Sequence, residues 1–274
     1  MLHLKTENDI LAMRKAGLLT WCGHKLVSEI IKAGMTTGDL DQEVEKLFVK
    51  NGAVPIFKGV NGRVPYPAST CISINEQVVH GIPGDRIIQD GDIVSVDTGC
   101  RLNSWCGDSA NTYPVGQVDS TGLKLIEVTR SVLAHAIQHL SRAKKWSEVA
   151  SEMDKFVRKN GFSTVEEFVG HGIGHEMHES PQVPNFVYRE YMRHGDFTIR
   201  PGVVIAIEPM VNEGHKKVRS SRDYWTMLTA DGKRSAHVEH TVGILSSGPI
   251  VLTGPPLTDE EKEQVNVFFE KYRT

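Results

Sequence analysis

Five side chains have the types and spacing needed for metal-assisted hydrolysis: Asp97, Asp108, His171, Glu208 and Glu239. Asp97 ends the run Asp92-Ile93-Val94-Ser95-Val96-Asp97, and Glu208 ends Val203-Val204-Ile205-Ala206-Ile207-Glu208. Each run follows a turn glycine, Gly91 or Gly202, and reads as a buried strand that ends on an acid. An ionised carboxylate is costly to bury alone, so two acids delivered this way need a shared cation or a proton. Asp108 and Glu239 are expected near the starts of the strands that close each half, as a second pair in matching registers. Four carboxylates and one imidazole suit Mn(II), Fe(II), Co(II) or Mg(II) better than a thiolate-type structural zinc site provides for. Two ions roughly 3.5–4 Å apart, bridged by two carboxylates and a water, would use all four acids and create a hydroxide nucleophile near neutral pH.

His80 and His178 lie on glycine- or proline-rich steps beside these acids, where a hydrolase needs neutral groups to position an amide and hold its oxyanion. Residues 175 to 178 read His-Glu-Met-His, one residue short of the zinc-protease HExxH pattern, and Gly172 and Gly174 disfavour a helix there. His175 is therefore expected not to bind metal. Phe57, Tyr66, Cys71, Met177 and Trp225 flank the motifs and together suit an apolar pocket for a flexible thioether side chain. The basic stretch His215 to Arg222 reads by composition as a solvated loop rather than a binding patch.

The elements that must hold these residues occur twice. Residues 7 to 32 have helical apolar spacing closed by Gly34, and a second helix, capped by Thr37 or Asp39, runs to Asn51-Gly52. Residues 121 to 142 and a run capped by Ser147 and ending at Asn160-Gly161 repeat the pair. A His-Gly-Ile step follows each pair, at His80 and at His171, before the acid-bearing strand. The repeat spacing implies extra material within residues 53 to 70 of the first half and 176 to 199 of the second. Such loops usually carry specificity. Thr258 and Glu261 suggest a capping box on a final helix over about 258–271.

Bulk properties agree with one domain over 1–274, with halves at about 7–116 and 121–246. The 39% hydrophobic and 24% charged composition is that of a globular chain, and a net charge of −3 argues against general DNA binding. No apolar run approaches the ~20 residues of a membrane span. Cys22, Cys71, Cys100 and Cys106 show no CxxC spacing, and the early charges Lys5, Glu7, Asp9, Arg14 and Lys15 suit no signal peptide. A cytoplasmic protein is expected.

Several stretches resemble the type I methionine aminopeptidases of the pita-bread fold: Cys71-Ile72-Ser73-Ile74-Asn75-Glu76, the Asp97/Asp108 pair, His171-Gly172-Ile173-Gly174, His178-Glu179-Ser180-Pro181, Ala206-Ile207-Glu208-Pro209-Met210 and Glu239-His240-Thr241. The resemblance covers nearly the whole chain. It implies an α+β fold of two pseudo-symmetric halves, a curved antiparallel sheet covered by helices, and a central site for two divalent ions, manganese, iron or cobalt. It also implies that Asp97 holds one ion, His171 and Glu208 the other, and that Asp108 and Glu239 bridge them. Glu208 would help activate the hydroxide, His80 would engage the scissile amide, and His178 would steady the carbonyl oxygen. The implied activity is removal of the initiator methionine from nascent chains with a small second residue. Ribosome contact through residues 215–222 and a monomeric state go with it. Val60, Cys106, Met177 and an insertion at Arg63-Val64-Pro65 depart from the family pattern and bear on pocket shape. An X-Pro peptidase resembling prolidase or aminopeptidase P, or a non-catalytic pita-bread binding module, is the alternative. The expected N-terminal start at the catalytic domain and the retained acids disfavour both.

Overall fold

Thr6 starts the first helix: its hydroxyl accepts the Asp9 N–H at 3.2 Å, and the Asp9 carboxylate accepts the Thr6 N–H at 2.9 Å. In this computed structural model, which describes residues 2–274, that helix is α1 (Glu7–Ile30), followed by α2 (Thr37–Lys50). The cap of α2 is Thr36 rather than Thr37 or Asp39, because Asp39 occupies the third helical position and returns the reciprocal bond. Strands β1 (Val54–Pro55), β2 (Thr70–Ile74), β3 (Gln77–Val79), β4 (Ile93–Leu102) and β5 (Trp105–Pro114) complete the first half.

The second half opens with α3 (Ser120–His139) and α4 (Trp146–Lys159). Ser147 does not cap α4; it lies inside the first turn, and its N–H and hydroxyl both donate to Asp196, which serves that helix end from a distant segment. Then come β6 (Ser163–Thr164), β7 (Gly170–Gly172), β8 (Glu179–Val183), α5 (Arg189–His194), β9 (Val204–Ile207) and β10 (Met210–Asn212). The extra material at 176–199 carries β8 and α5, whereas that at 53–70 carries only β1 and the start of β2. The chain ends with β11 (Val218–Ser220), β12 (Met227–Thr229), β13 (Ser235–His237), β14 (His240–Leu245), β15 (Gly248–Val251) and α6 (Asp259–Arg273). Of the basic stretch only Val218–Ser220 forms a strand, β11 at the edge of the β11–β12 hairpin; the rest of 215–222 is the largely exposed loop that composition suggests. At α6 the box is half made: Thr258 accepts from Glu261, but the Glu261 carboxylate takes the Leu257 N–H and Arg14 instead.

All strand pairings are antiparallel. In the first half β4 is central, with β5 along one edge and β2 and β1 along the other. In the second the order is β15-β14-β9-β7-β8. Helices α1, α2 and α6 bury Leu19, Val27, Leu40, Phe48 and Phe268 against Ile72 and Val96. Helices α3 and α4 bury Leu125, Val132, Trp146 and Val149 against Ile205 and Val242. Each such side chain contributes roughly 1.5–3 kcal/mol by leaving water. The two sheets meet where Glu239 N donates to Ala110 O at 2.8 Å and the Ser109 hydroxyl to Glu239 O at 2.7 Å. All four cysteines are free and buried. Among the described residues no helix is long and apolar enough to cross a membrane.

The repeat is less regular than the sequence suggests. Asp97 lies in the middle of β4, not at its end, whereas Glu208 lies just past β9. Glu239 falls in the break between β13 and β14 rather than on a strand. Registers differ too. Asp97 faces Ala110 and Gly99 faces Asp108, so the first pair is diagonal. In the second half Ile207 faces His240, which places Glu208 and Glu239 together one step beyond that pair.

Candidate metal centre

Cross-strand partners and residues two apart on a strand share a face, so Asp97, Gly99 and Asp108 point to the same side of the first sheet. Gly99 is required there: a Cβ would stand 2.9 Å from Asp108 Oδ1 and 2.7 Å from Ile56 Cδ1. Asp108 is tied to the second half through its own backbone, its N–H donating to the Thr241 hydroxyl at 3.1 Å and its carbonyl accepting from it at 2.8 Å. That junction brings Glu239 and Asp108 to one point.

His171 reaches the same point from β7, which is squeezed between β8 and β9. A Cβ on Gly170 would lie 2.3 Å from Ala206 O, and one on Gly172 2.3 Å from Ser180 O, so both neighbours of His171 must be glycine. The Gly172 carbonyl lies 2.9 Å from His171 Nδ1. A carbonyl only accepts, so Nδ1 carries the proton and Nε2 offers its lone pair. Nε2 stands 3.5 Å from Glu208 Oε1 and 4.0 Å from Asp108 Oδ2. One ligand atom each of Asp108, His171 and Glu239 lies within 4.8 Å of the others. Asp97 Oδ1, Asp108 Oδ1 and Glu239 Oε1 are buried with no hydrogen-bond partner. Burial, together with the neighbouring acids, drives Asp97, Glu208 and Glu239 well above the carboxylate range, and burial takes Asp108 to about 7. Orphaned oxygens crowded around one imidazole nitrogen are what a site built for divalent cations leaves when its protein atoms are counted alone.

Every residue expected at the site lines one cavity of about 160 Å³: Phe57, Tyr66, Cys71, His80, Met177, His178 and Trp225 join the five metal candidates, and Val60 is added. A larger cavity of about 780 Å³ lies away from the acids, against His24, Arg130 and His240. His80 takes a left-handed backbone, φ 59°, unusual for a residue with a side chain. Gly81 next to it packs directly on β2, where a Cβ would meet Ile72 O at 2.2 Å. Burial, with His178 near, lowers the His80 pKa to about 4, so its ring is neutral. Its ring lies edge-on to Phe168 and Trp225. His178 stands at the exposed rim, edge-on to His171 with ring centres 4.4 Å apart. His175 is outside: it stacks on Trp105 and bonds Ser104 O. Cys106 does not line the cavity; its thiol donates to His175 O and fixes that turn.

The profile of metallopeptidase family M24 matches residues 12–245. The chain belongs to metallopeptidase family M24. Within the family, a methionine aminopeptidase from Clostridium perfringens is 45% identical over 254 residues, which is 92% of this chain and 99% of that one. The crystal structure of a methionine aminopeptidase from Thermotoga maritima superposes with a TM-score of 0.86 at 40% identity, covering 92% and 99% of the two chains. A prolidase from Pyrococcus furiosus superposes with a TM-score of 0.72 at 23% identity and covers 93% of this chain but 66% of its own, a likeness of fold alone. The expected kinship with the methionine aminopeptidases and the α+β pita-bread fold are both borne out.

Two residues of this M24 site escape the sequence reading. His237 is fully buried, its Nε2 has no hydrogen-bond partner, and it stands 3.8 Å from Glu208 Oε2. Asn185 donates to Glu208 O at 3.1 Å. His237 carries a signal: it precedes Glu239 by two residues, the interval that puts side chains on one face of an extended segment. Asn185 carries none, because it reaches the site from the second-half excursion.

Proposed function

We propose that this chain removes the first methionine from peptides and proteins whose second residue is small, acting as one catalytic domain over residues 1–274. The observation that carries the reading is an apolar-walled cavity of about 160 Å³ with Asp97, Asp108, His171, Glu208 and Glu239 at its floor. Phe57, Tyr66, Cys71, Met177 and Trp225 offer soft and aromatic surface to a thioether. The neutral α-amine of a substrate would be drawn to the cations that these residues hold, which limits cleavage to the first residue.

Asp97, Asp108, His171, Glu208 and Glu239 would hold two divalent cations, manganese, iron or cobalt, which when bound polarise the scissile carbonyl and acidify water. Glu208 takes the proton of the attacking water and delivers it to the leaving amine as the C–N bond breaks. His80, neutral at working pH, engages the scissile amide, and His178 at the rim steadies the carbonyl oxygen. The rest of the peptide leaves along a neighbouring groove lined by Phe168, Ser180, Pro181 and Gln182, which shares His80, His178 and Glu208 with the cavity. Nascent chains are the expected substrates. Lys217, Arg219 and Arg222 on the exposed hairpin favour a polyanionic ribosomal surface, free buried thiols favour the reducing cytoplasm, and a monomeric state belongs to the same proposal.

The test is release of free methionine from Met-Gly-Met-Met by metal-stripped protein reloaded separately with Mn(II), Fe(II) and Co(II), with a proline-second dipeptide alongside. Methionine released only by loaded protein supports the reading. Cleavage of the proline dipeptide alone would favour the prolidase-like alternative, and inactivity with every metal would sink both.

A further inference from the structure

Residues 61–65, between the cavity-lining Val60 and Tyr66, grip the turn at 223–226 of the second half through three contacts. The Trp225 indole Nε1 donates to Val64 O at 2.8 Å. The Arg63 guanidinium lies over the Tyr224 ring, 4.1 Å from its centre. Gly62 lies so close under the indole that a Cβ would stand 2.5 Å from Trp225 Cζ2. The gripped turn is built to be held. Asp223 accepts the N–H groups of Trp225 and Thr226, Tyr224 is forced to φ 70°, and the Thr226 hydroxyl donates to His80 O at 3.4 Å. Its indole meets Tyr66 edge-on at 5.1 Å and forms one wall of the cavity.

We infer that Arg63, Val64 and Tyr224 form a latch that fixes the Trp225 indole as the wall of the first-residue subsite, making Arg63 and Tyr224 positioning residues for specificity. The inference rests on the proposed function, in which that cavity takes the first side chain. Residues 61–65 are exposed, and no other contact among the described residues gives the Arg63 guanidinium a partner. An arginine spread over an aromatic face at the protein surface is a modest tether. Its effect is therefore on where the indole rests, not on whether the fold forms. A free indole swings out, and the subsite widens. Methionine then binds less well, and bulkier first residues are rejected less strongly.

The experiment compares wild type with Arg63→Ala, Arg63→Lys and Tyr224→Asn, the last because asparagine tolerates the left-handed backbone while lacking the ring. With Met-Gly-Met-Met, Arg63→Ala and Tyr224→Asn should raise KM about three- to ten-fold with kcat little changed, and Arg63→Lys should restore part of the loss. Discrimination between Met-Gly-Met-Met and Phe-Gly-Met-Met should fall in the same variants. Independently of turnover, acrylamide quenching of Trp225, isolated by subtracting the Trp225→Phe protein, should rise in Arg63→Ala. An active wild type with unchanged KM, discrimination and quenching in both variants overturns the latch and leaves the proposed function standing. An inactive wild type overturns the proposed function, and the quenching then decides the latch alone.

Discussion

Gly99 faces Asp108 across the β4–β5 ladder, and a single added carbon at Gly99 would press on the Asp108 Oδ1 from 2.9 Å. The vacancy opposite Asp108 is as much a part of the centre as the carboxylate.

Gly99→Ala is expected to displace Asp108 and weaken Mn(II) binding by about 10- to 100-fold, the scale on which groups supporting metal ligands act. Titration calorimetry measures it. The metal-stripped variant should also melt below the stripped wild type, because the added carbon meets Ile56 Cδ1 at 2.7 Å and the Gly107 carbonyl at 2.9 Å as well as the carboxylate. Affinity is therefore read on the folded protein, well below its melting range. Unchanged affinity would show that Gly99 does not set the position of the Asp108 carboxylate.

Metal removal should reveal a pH dependence of definite sign. Without cations, burial and mutual repulsion raise Asp97, Glu208 and Glu239, and burial raises Asp108 to about 7. A carboxyl whose folded pKa lies above its unfolded value of about 4 stabilises the fold fully below that value, and the contribution disappears as pH rises through the folded pKa. Stripped protein should therefore lose stability from about pH 4 upward through neutrality. Cations replace those protons, so the gap in Tm between loaded and chelator-treated protein should widen from pH 5 to pH 8. A gap that stays constant would argue that the cluster does not titrate.

His237 is held neutral at working pH, since burial lowers its pKa to about 3, and its free Nε2 faces Glu208. His237→Phe keeps a flat ring but loses that nitrogen. The expected result is a fall in kcat of roughly tenfold, the scale of the one hydrogen bond that this unpartnered nitrogen is free to make once substrate fills the site, with a shifted acid limb in the pH–rate profile. Equal kcat and an unmoved profile would make His237 a packing residue.

The acids were legible in sequence because strands that bury charge are rare and these occur twice. Their geometry was not. Spacing along the chain does not fix ladder register, so the diagonal Asp97–Asp108 pair and the Glu208–Glu239 pair read alike. Glycines told more than expected: Gly170 and Gly172 flank His171 because two backbones close on β7. The caps misled where a distant group did the work, as Asp196 does for α4. The bond from Trp225 to Val64 ends on a backbone carbonyl, which leaves no trace in residue type.

Arg14 tests how the ends of the chain secure the centre. It is buried in α1, and its guanidinium donates to Leu252 O at 2.6 Å, Gly254 O at 2.9 Å, Pro255 O at 2.6 Å and the Glu261 carboxylate at 2.8 Å. These bonds fix the segment that leads from β15 to α6, and α6 in turn covers the first-half core. Arg14→Leu keeps the apolar stem but leaves four carbonyls, that of Val251 included, and a carboxylate without their donor, a loss of about 3–5 kcal/mol. Lysine cannot replace the fork, so Arg14→Lys should recover only a minor part. Urea unfolding of the loaded protein reads the difference. Because no contact of Arg14 reaches the cavity, kcat below the melting range should stay within about twofold of wild type. A stable Arg14→Leu protein would mean that α6 docks through its apolar face alone.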